Sequence, residues 1–191
     1  MPTKPTTYAA LLRGINVSGR NKVPMAELRS LLEGLGHREV RTYLQSGNAV
    51  FTADRPPAAG AEDELAAALE TAIEGHFGFR VPCLVRDHGY LAAVAADCPY
   101  PAAELEGKQL HALYLSAPVT PERYAGIDPE SYRPEGFALG DRVLYLHAPG
   151  GLGTSKLGEA LSRPALHKGL TVTARNWNTV VKLVDMTAPT P

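Results

Sequence analysis

Three polar segments hold the residues of this sequence that could do chemistry. They are LLRGINVSGRNKVPMAEL (11–28), YLQSGNAVF (43–51) and TARNWNTVVKL (173–183). Each lies where an apolar strand-like run meets a helix-like or second strand-like run, a position from which folds display side chains to ligands. The segments are rich in cations and hydrogen-bond donors but nearly empty of paired carboxylates, clustered histidines or thiols. This composition indicates binding of an anion rather than cleavage of a bond.

The first two segments predict one ligand-binding site. Its candidate residues are Arg13, Asn16, Lys22, Gln45, Ser46 and Asn48. Pro24 suits the first turn of the helix that follows, and a helix N-terminus beside Arg or Lys is a ready anion site. The alternative is that these side chains secure a long loop, with the two asparagines bonding turn backbone and the arginine pairing with a carboxylate.

A glycine-rich segment near the C-terminus, GGLGTSK (150–156), follows a strand-like run and enters a helix-like one. It is not a P-loop, because the GxxxxGK[ST] spacing fails. Ser155 and Lys156 are nevertheless candidates for contact with an anion. The alternative is that Thr154 or Ser155 is an ordinary helix cap.

The last polar segment contributes two more candidates. Arg175 and Asn178 are predicted to face the ligand, with Asn176 as the cap of a final helix. Trp177 is more typical of a core position than of a ligand platform. No catalytic residue is assigned, since Ser46, a turn serine that could act as nucleophile, has no histidine or aspartate partner at a recognisable spacing.

Apolar periodicity predicts the elements that position the first site. Strands are expected over 8–12, 40–44, 49–52 and 81–85, and helices over 25–35 and 62–77. The order strand, helix, strand, strand, helix, strand is that of split βαβ, ferredoxin-like folds. In this topology the first and second strands are parallel, with the third between them. The exit of the first strand, the start of the first helix and the turn over 45–48 should therefore meet at one end of the sheet.

The second half repeats this order of elements without detectable repetition of residues. Strands are expected over 110–115, 136–139, 143–147 and 170–173, with helices near 120–124, over 154–161 and from Trp177 onward. A short helix over 88–96 and a Pro- and Glu-rich stretch over 99–107 connect the halves. The predicted fold is therefore α+β, with two ferredoxin-like (split βαβ) units, mainly antiparallel sheets and a C-terminal helix.

Composition is that of an ordinary globular protein, with 45% hydrophobic and 20% charged residues in a chain of 191. The expected domains are 8–98, the N-terminal ferredoxin-like domain, and 108–187, the C-terminal α+β domain, with flexible tails at 1–7 and 188–191. No apolar signal core and no run of membrane-spanning length is present in the sequence. We therefore expect a cytoplasmic protein without a membrane partner.

Neither a metal site nor a cofactor is expected. Cys83 and Cys98 are predicted to be reduced thiols, and the six histidines are scattered without the spacing of a zinc site. Charge is uneven: residues 1–52 carry seven Lys or Arg against three Asp or Glu, and residues 153–191 carry five against two. These basic blocks contain all three polar segments and would attract a negatively charged partner, unless they are only solvated cations on exposed faces.

Four ordered motifs resemble those of a known family. The chain closely resembles the domain of unknown function family 1697, a group of small bacterial cytoplasmic proteins, in RGINVSGRNKVPMAEL, YLQSGNAVF, GLGTSKL and ARNWNTVVKL, and the likeness runs from about Tyr8 to Met186. The resemblance implies a two-part α+β fold with ferredoxin-like units, but no activity and no catalytic residue. The family's usual motif has Gly where this chain has Ser18 and often Lys where it has Arg20, and both changes keep the loop small and basic.

Three hypotheses of function follow. The first is a protein that binds an anionic small molecule, phosphorylated or carboxylated, with nucleotides among the candidates. The second is RNA or DNA binding by the basic N-terminal unit, although the aromatic pattern with which ferredoxin-like sheets stack RNA bases is absent. The third is an enzyme that acts on a phosphorylated substrate. The sequence assigns neither the ligand nor the oligomeric state.

Overall fold

A computed structural model describes residues 5–54 and 58–189. Most of the predicted tails, residues 1–4 and 190–191, lies outside the described residues, and the first strand already begins at Thr6. The described chain divides into two compact units. One comprises the residues up to Leu91 together with those from Leu183 onward, and the other is Ala92–Lys182.

The first unit has the predicted order of elements. It consists of β1 (Thr6–Leu12), α1 (Met25–Gly34), β2 (Arg38–Tyr43), β3 (Asn48–Ala53), α2 (Ala61–Phe77) and β4 (Cys83–Asp87). Its sheet has the order β2-β3-β1-β4, with every neighbouring pair antiparallel. This is the ferredoxin-like arrangement, so the predicted fold class is confirmed for this unit.

The core of the first unit follows from the two periodicities of its sequence. Alternate residues of a strand face opposite sides of the sheet, and Tyr8, Ala10 and Leu12 of β1 belong to the core formed with α1 and α2. The helices contribute apolar residues at four-residue spacing: Leu28 and Leu32, and Leu65, Leu69 and Ile73. Burial of these faces fixes the ends of β1 and α1, and with them the loop that joins the two elements.

The second unit has the same sheet order with less regular helices. A helix, α3 (His88–Ala96), follows β4, and the later elements are β5 (Leu110–Leu115), β6 (Gly136–Gly140), β7 (Val143–His147), α4 (Lys156–Leu161), β8 (Val172–Asn176) and the C-terminal α5 (Trp177–Thr187). The sheet is antiparallel in the order β6-β7-β5-β8. Two 3-10 turns, Pro121–Tyr124 and Pro129–Tyr132, stand where the first unit has α1. The two-unit α+β prediction is confirmed.

A buried arginine occupies the same register position in both sheets. Ala9 of β1 pairs with Arg86 of β4, and Ala112 of β5 pairs with Arg175 of β8. The two arginines are 1% and 6% exposed. In each, Nη1 donates to the carbonyl oxygen of the residue before it, at 2.7 and 2.8 Å respectively. The two units therefore share a buried strand arginine bonded to the preceding carbonyl oxygen. The sequences around the two arginines, VRD (85–87) and ARN (174–176), are too short and too different to indicate this.

The residue after each of these arginines caps the following helix. Asp87 Oδ1 accepts the backbone N–H of Tyr90 at 2.7 Å, and Asn176 Oδ1 accepts that of Thr179 at 3.0 Å. Side-chain oxygens in this position satisfy N–H groups that have no partner inside the helix. The predicted capping role of Asn176 is confirmed. No helix in the part of the chain that the structure describes is long and apolar enough to cross a membrane.

Candidate functional site

The β1–α1 loop (residues 13–24) and the β2–β3 turn (residues 44–47) meet at one end of the first sheet. The backbone N–H of Leu12 donates to the carbonyl oxygen of Gly47 at 2.8 Å. The Asn16 Nδ2 donates to the carbonyl oxygen of Gln45, also at 2.8 Å. The topology thus brings together two segments that are about thirty residues apart in sequence. We call this surface the basic end of the first unit, defined by residues 13–24 and 44–47.

Asn16 holds the loop in shape with its carboxamide. Nδ2 donates to the carbonyl oxygens of Val23 and Gln45 at 3.1 and 2.8 Å, while Oδ1 accepts the backbone N–H of Val23 at 3.0 Å. Its backbone is left-handed, with φ 54°, a conformation that asparagine tolerates better than most residues. Asn21 adds a bond from Nδ2 to the carbonyl oxygen of Gly14 at 3.2 Å. The side chain of Asn16 is therefore part of the scaffold rather than open to a ligand.

Asn48 has a similar task in the turn. It is completely buried, and its Nδ2 donates to the carbonyl oxygen of Tyr43 at 2.8 Å and to Ser46 Oγ at 3.2 Å. The carboxamide closes the chain reversal between β2 and β3, as the alternative interpretation of the sequence anticipated. Gln45 and Ser46, by contrast, are exposed at the tip of the turn.

The cations of the loop are open to solvent. Arg13, Arg20 and Lys22 are all exposed. Their side chains form no hydrogen bond and no ion pair with any described residue. The nearest carboxylate in sequence, Glu27 in the first turn of α1, instead accepts a hydrogen bond from His76 Nε2 at 2.6 Å. The basic end therefore presents positive charge that its own fold does not neutralise.

The predicted anion contacts at the start of α4 are occupied from within the second unit. Ser155 caps α4 by accepting the N–H of Gly158 at 2.8 Å, and it donates to Glu135 Oε2 at 2.6 Å. The Glu135 carboxylate also accepts the backbone N–H groups of Leu157 and Lys156 at 2.9 and 3.3 Å. The helix start does hold an anion, but the anion is a glutamate twenty residues away, and sequence spacing gave no signal of it. The side chain of Lys156 is exposed.

Arg175 and Asn178 do not stand together in the second unit. The sequence predicts a strand over 170–173, but β8 extends through Asn176, so Arg175 lies inside the strand and is 6% exposed. Its Nη1 donates to Thr173 Oγ1 at 2.7 Å. Asn178 is exposed on the first turn of α5, and its carboxamide lies against Gly107, where an added Cβ would come within 2.2 Å of Oδ1.

Groups typical of catalysis or metal binding are separated from one another. Among residues 5–54 and 58–189, no three His, Cys, Asp or Glu are placed to share a metal ion. Burial lowers the pKa of His111 and of His37, and burial raises the pKa of the Cys98 thiol. These shifts favour the neutral forms, which suit packing more than acid–base work. Ser46 Oγ accepts from the carboxamide of Asn48, not from a histidine.

Replacing Asn16 by alanine should lower the free energy of unfolding by about 2 kcal/mol, because three hydrogen bonds to backbone are lost and the N–H and C=O groups of the buried Val23 keep their desolvation cost. Urea unfolding followed by circular dichroism measures the loss. The matched control is Asn21→Ala, which removes a single exposed bond at 3.2 Å and should cost well under half as much. Equal losses for the two variants would contradict the assigned role of Asn16.

Comparison with known proteins identifies relatives of this chain. The model of the family described as "Protein of unknown function (DUF1697)" matches residues 6–145. A solved structure, that of conserved bacterial protein SP0830 from Streptococcus pneumoniae, is similar with a TM-score of 0.76 and 26% identity, over 97% of this chain and 100% of that chain. No curated protein matches the chain. The family match ends before the last two of the four motifs, and the structural likeness includes them.

Proposed function

This chain belongs to the family of proteins of unknown function DUF1697, and we propose that it binds an anionic small molecule, phosphorylated or carboxylated, at the basic end of its first unit. One observation carries the proposal: three exposed cations, Arg13, Arg20 and Lys22, stand on a loop that Asn16 holds in one conformation. A preorganised loop binds more tightly than a mobile one, since less conformational entropy is lost when the ligand arrives.

The energetics are sufficient for a specific site. A hydrogen bond to a charged group contributes roughly 1.5–3 kcal/mol by mutational estimates. Two such contacts sum to roughly 3–6 kcal/mol, which corresponds to dissociation constants from millimolar to tens of micromolar before the cost of association is subtracted, and the exposed amide and hydroxyl groups add to this. Because the cations are exposed, salt should weaken the interaction strongly.

The residues of the basic end divide into two roles. Arg13, Arg20 and Lys22 supply positive charge, while Gln45 and Ser46 orient the ligand. Asn16 and Asn48 act on the ligand only through the loop and turn that they hold. No ligand contact is proposed for Ser155 or Arg175, because both side chains are already bonded inside the second unit.

A cytoplasmic location is part of the same proposal. Both cysteines, Cys83 and Cys98, are free thiols in the folded chain. Free thiols are usual in reducing compartments such as the cytosol.

The test is binding of inorganic phosphate, pyrophosphate and a nucleoside triphosphate to the full chain, by calorimetry at low salt. The double variant Arg13→Ala with Lys22→Ala should bind whichever of these the wild type prefers at least tenfold more weakly, since each lost contact to a charged group is worth about 1.5–3 kcal/mol. Added salt should weaken wild-type binding and have less effect on the variant.

The matched control uses two cations of the second unit. Arg163 and Lys168 are exposed, and their side chains have no hydrogen bond or ion pair within the described chain. The double variant Arg163→Ala with Lys168→Ala removes the same charge and should bind like the wild type. If no anion binds the wild type at low salt, or if the two double variants lose affinity equally, the proposed function is wrong.

A further inference from the structure

Two apolar side chains stand exposed at the basic end. Val17 is 60% exposed and Leu44 is 53% exposed, the two highest values among the exposed large hydrophobic residues of the described chain. A single exposed apolar residue is ordinary on a protein surface. Here one exposed apolar residue lies in the β1–α1 loop and the other in the turn bonded to that loop. Both belong to the basic end, whose cations are proposed to contact the ligand.

Hydrogen bonds bring the two residues to the same place as the cations. Val17 follows Asn16, and Leu44 precedes Gln45, the two residues joined by the 2.8 Å bond from Nδ2 to the carbonyl oxygen. Val17 also forms a β-bridge with Arg20, in which the backbone N–H of Arg20 donates to the carbonyl oxygen of Val17 at 3.0 Å. Exposed apolar and cationic residues therefore belong to the same loop and to the turn bonded to it.

Leu44 is unusual in its backbone as well. Its φ is 56°, in the left-handed region that disfavours a bulky side chain. Glycine would adopt this conformation without strain. A leucine that is strained and also half exposed gains little from packing within its own chain. Strain of this kind points to a role outside the folded molecule, and contact with a bound ligand is the role that the neighbouring cations suggest.

We infer that the anion bound at the basic end is amphipathic: a free small molecule whose phosphate or carboxylate meets Arg13, Arg20 and Lys22, and whose apolar body lies on Val17 and Leu44. This inference rests on the proposed function, and it narrows the ligand from any anion to one with an apolar part. Charge complementarity fixes one end of the molecule, and the removal of apolar surface from water adds affinity at the other.

The experiment compares inorganic phosphate with phenyl phosphate, two anions of similar charge that differ by an apolar ring. The wild type should bind phenyl phosphate about tenfold more tightly, which is the effect of burying a modest apolar area. Val17→Ser and Leu44→Asn should each remove most of that preference and leave the affinity for inorganic phosphate unchanged. Asparagine tolerates the left-handed conformation better than leucine does, so Leu44→Asn should not lower the melting temperature, and a lost preference then reflects the lost apolar side chain rather than unfolding.

The matched control is Val181→Ser. Val181 is 52% exposed, on the part of α5 that belongs to the second unit, and its replacement should leave both affinities unchanged. Equal binding of the two phosphates by the wild type would overturn the inference while the proposed function stands. Binding of neither would overturn both. Capture by vesicles that contain phosphatidic acid, without a preference for phenyl phosphate in solution, would also overturn the inference, because the ligand would then be a membrane surface.

Discussion

Replacing Glu62 by alanine should lower the free energy of unfolding by about 3 kcal/mol, the low end of the range of roughly 3–5 kcal/mol for removing one partner of a buried ion pair, because the Glu62 side chain is 16% exposed. The Arg86 side chain is 1% exposed, and its Nη1 lies 3.3 Å from Glu62 Oε2. The other carboxylate oxygen, Oε1, accepts the backbone N–H of Asp87 at 3.0 Å. Alanine at position 62 would remove the carboxylate that lies beside the buried Arg86 guanidinium. It would also remove the acceptor of the Asp87 backbone N–H. Guanidinium chloride unfolding of the full chain measures the loss.

Two further variants separate the buried pair from an ordinary surface pair. Glu74 and Arg80 form an ion pair at 3.7 Å, with side chains 56% and 79% exposed, so Glu74→Ala should change stability by less than about 1 kcal/mol. The double variant Glu62→Leu with Arg86→Met should lose less than Glu62→Ala alone, because no buried charge remains. If Glu62→Ala and Glu74→Ala lower the free energy of unfolding equally, burial of Arg86 does not make its pair with Glu62 more important than a surface pair, and the argument is wrong.

The fold of the first unit was predictable because its apolar residues follow clear patterns. The continuous apolar run over 8–12 marks β1 as a buried strand, and the four-residue spacing of apolar residues marks α2. The predicted helix over 88–96 and the predicted strand over 110–115 coincide with α3 and β5. The predicted end of α2 at residue 77 is confirmed, and Gly78 follows it in the left-handed conformation, with φ 77°.

The second unit was harder to predict because its helices are short. Proline or glycine interrupts the segment over 120–136 after at most four residues each time, and the segment forms 3-10 turns rather than a helix. The predicted strand over 170–173 ended too early, since Arg175 and Asn176 are polar and resemble loop residues. A buried arginine within a strand is uncommon enough that sequence reasoning places it outside the sheet.

The basic end shows which parts of a binding site can be predicted from sequence. Topology implied that residues near 13–22 and 45–48 would meet, and Asn16 and Gln45 do. Sequence could not distinguish an asparagine that binds a ligand from one that bonds its own loop, because the same carboxamide serves both purposes. Sequence could not identify Val17 and Leu44 as exposed, because Leu44 ends the predicted strand over 40–44, and a single apolar residue in a loop carries no sign of its exposure.

Replacing Gly47 by alanine should cost about 3–4 kcal/mol, combining the penalty for a left-handed residue with that for overpacking a tight contact. Gly47 has φ 94°, and a Cβ added there would come within 2.8 Å of Leu12 Cβ and 2.9 Å of Ile15 Cδ1. Leu12 and Ile15 are each 1% exposed. A Cβ cannot swing away as the end of a long side chain can, so the turn itself must move away from β1.

The control for Gly47 is Gly14, in the loop that packs on the same turn. Gly14 is also left-handed, at φ 68°, but no atom lies within 4 Å of an added Cβ. Gly14→Ala should therefore cost only the conformational part, about 1–2 kcal/mol. Because movement of the turn would break the bond between Asn16 and Gln45, Gly47→Ala should also weaken binding of inorganic phosphate at temperatures where the variant remains folded, whereas Gly14→Ala should weaken it less. Equal costs for the two alanines in thermal unfolding would mean that the contact with Leu12 and Ile15 is easily relaxed, and the turn would then be a less rigid support for Gln45 and Ser46 than we propose.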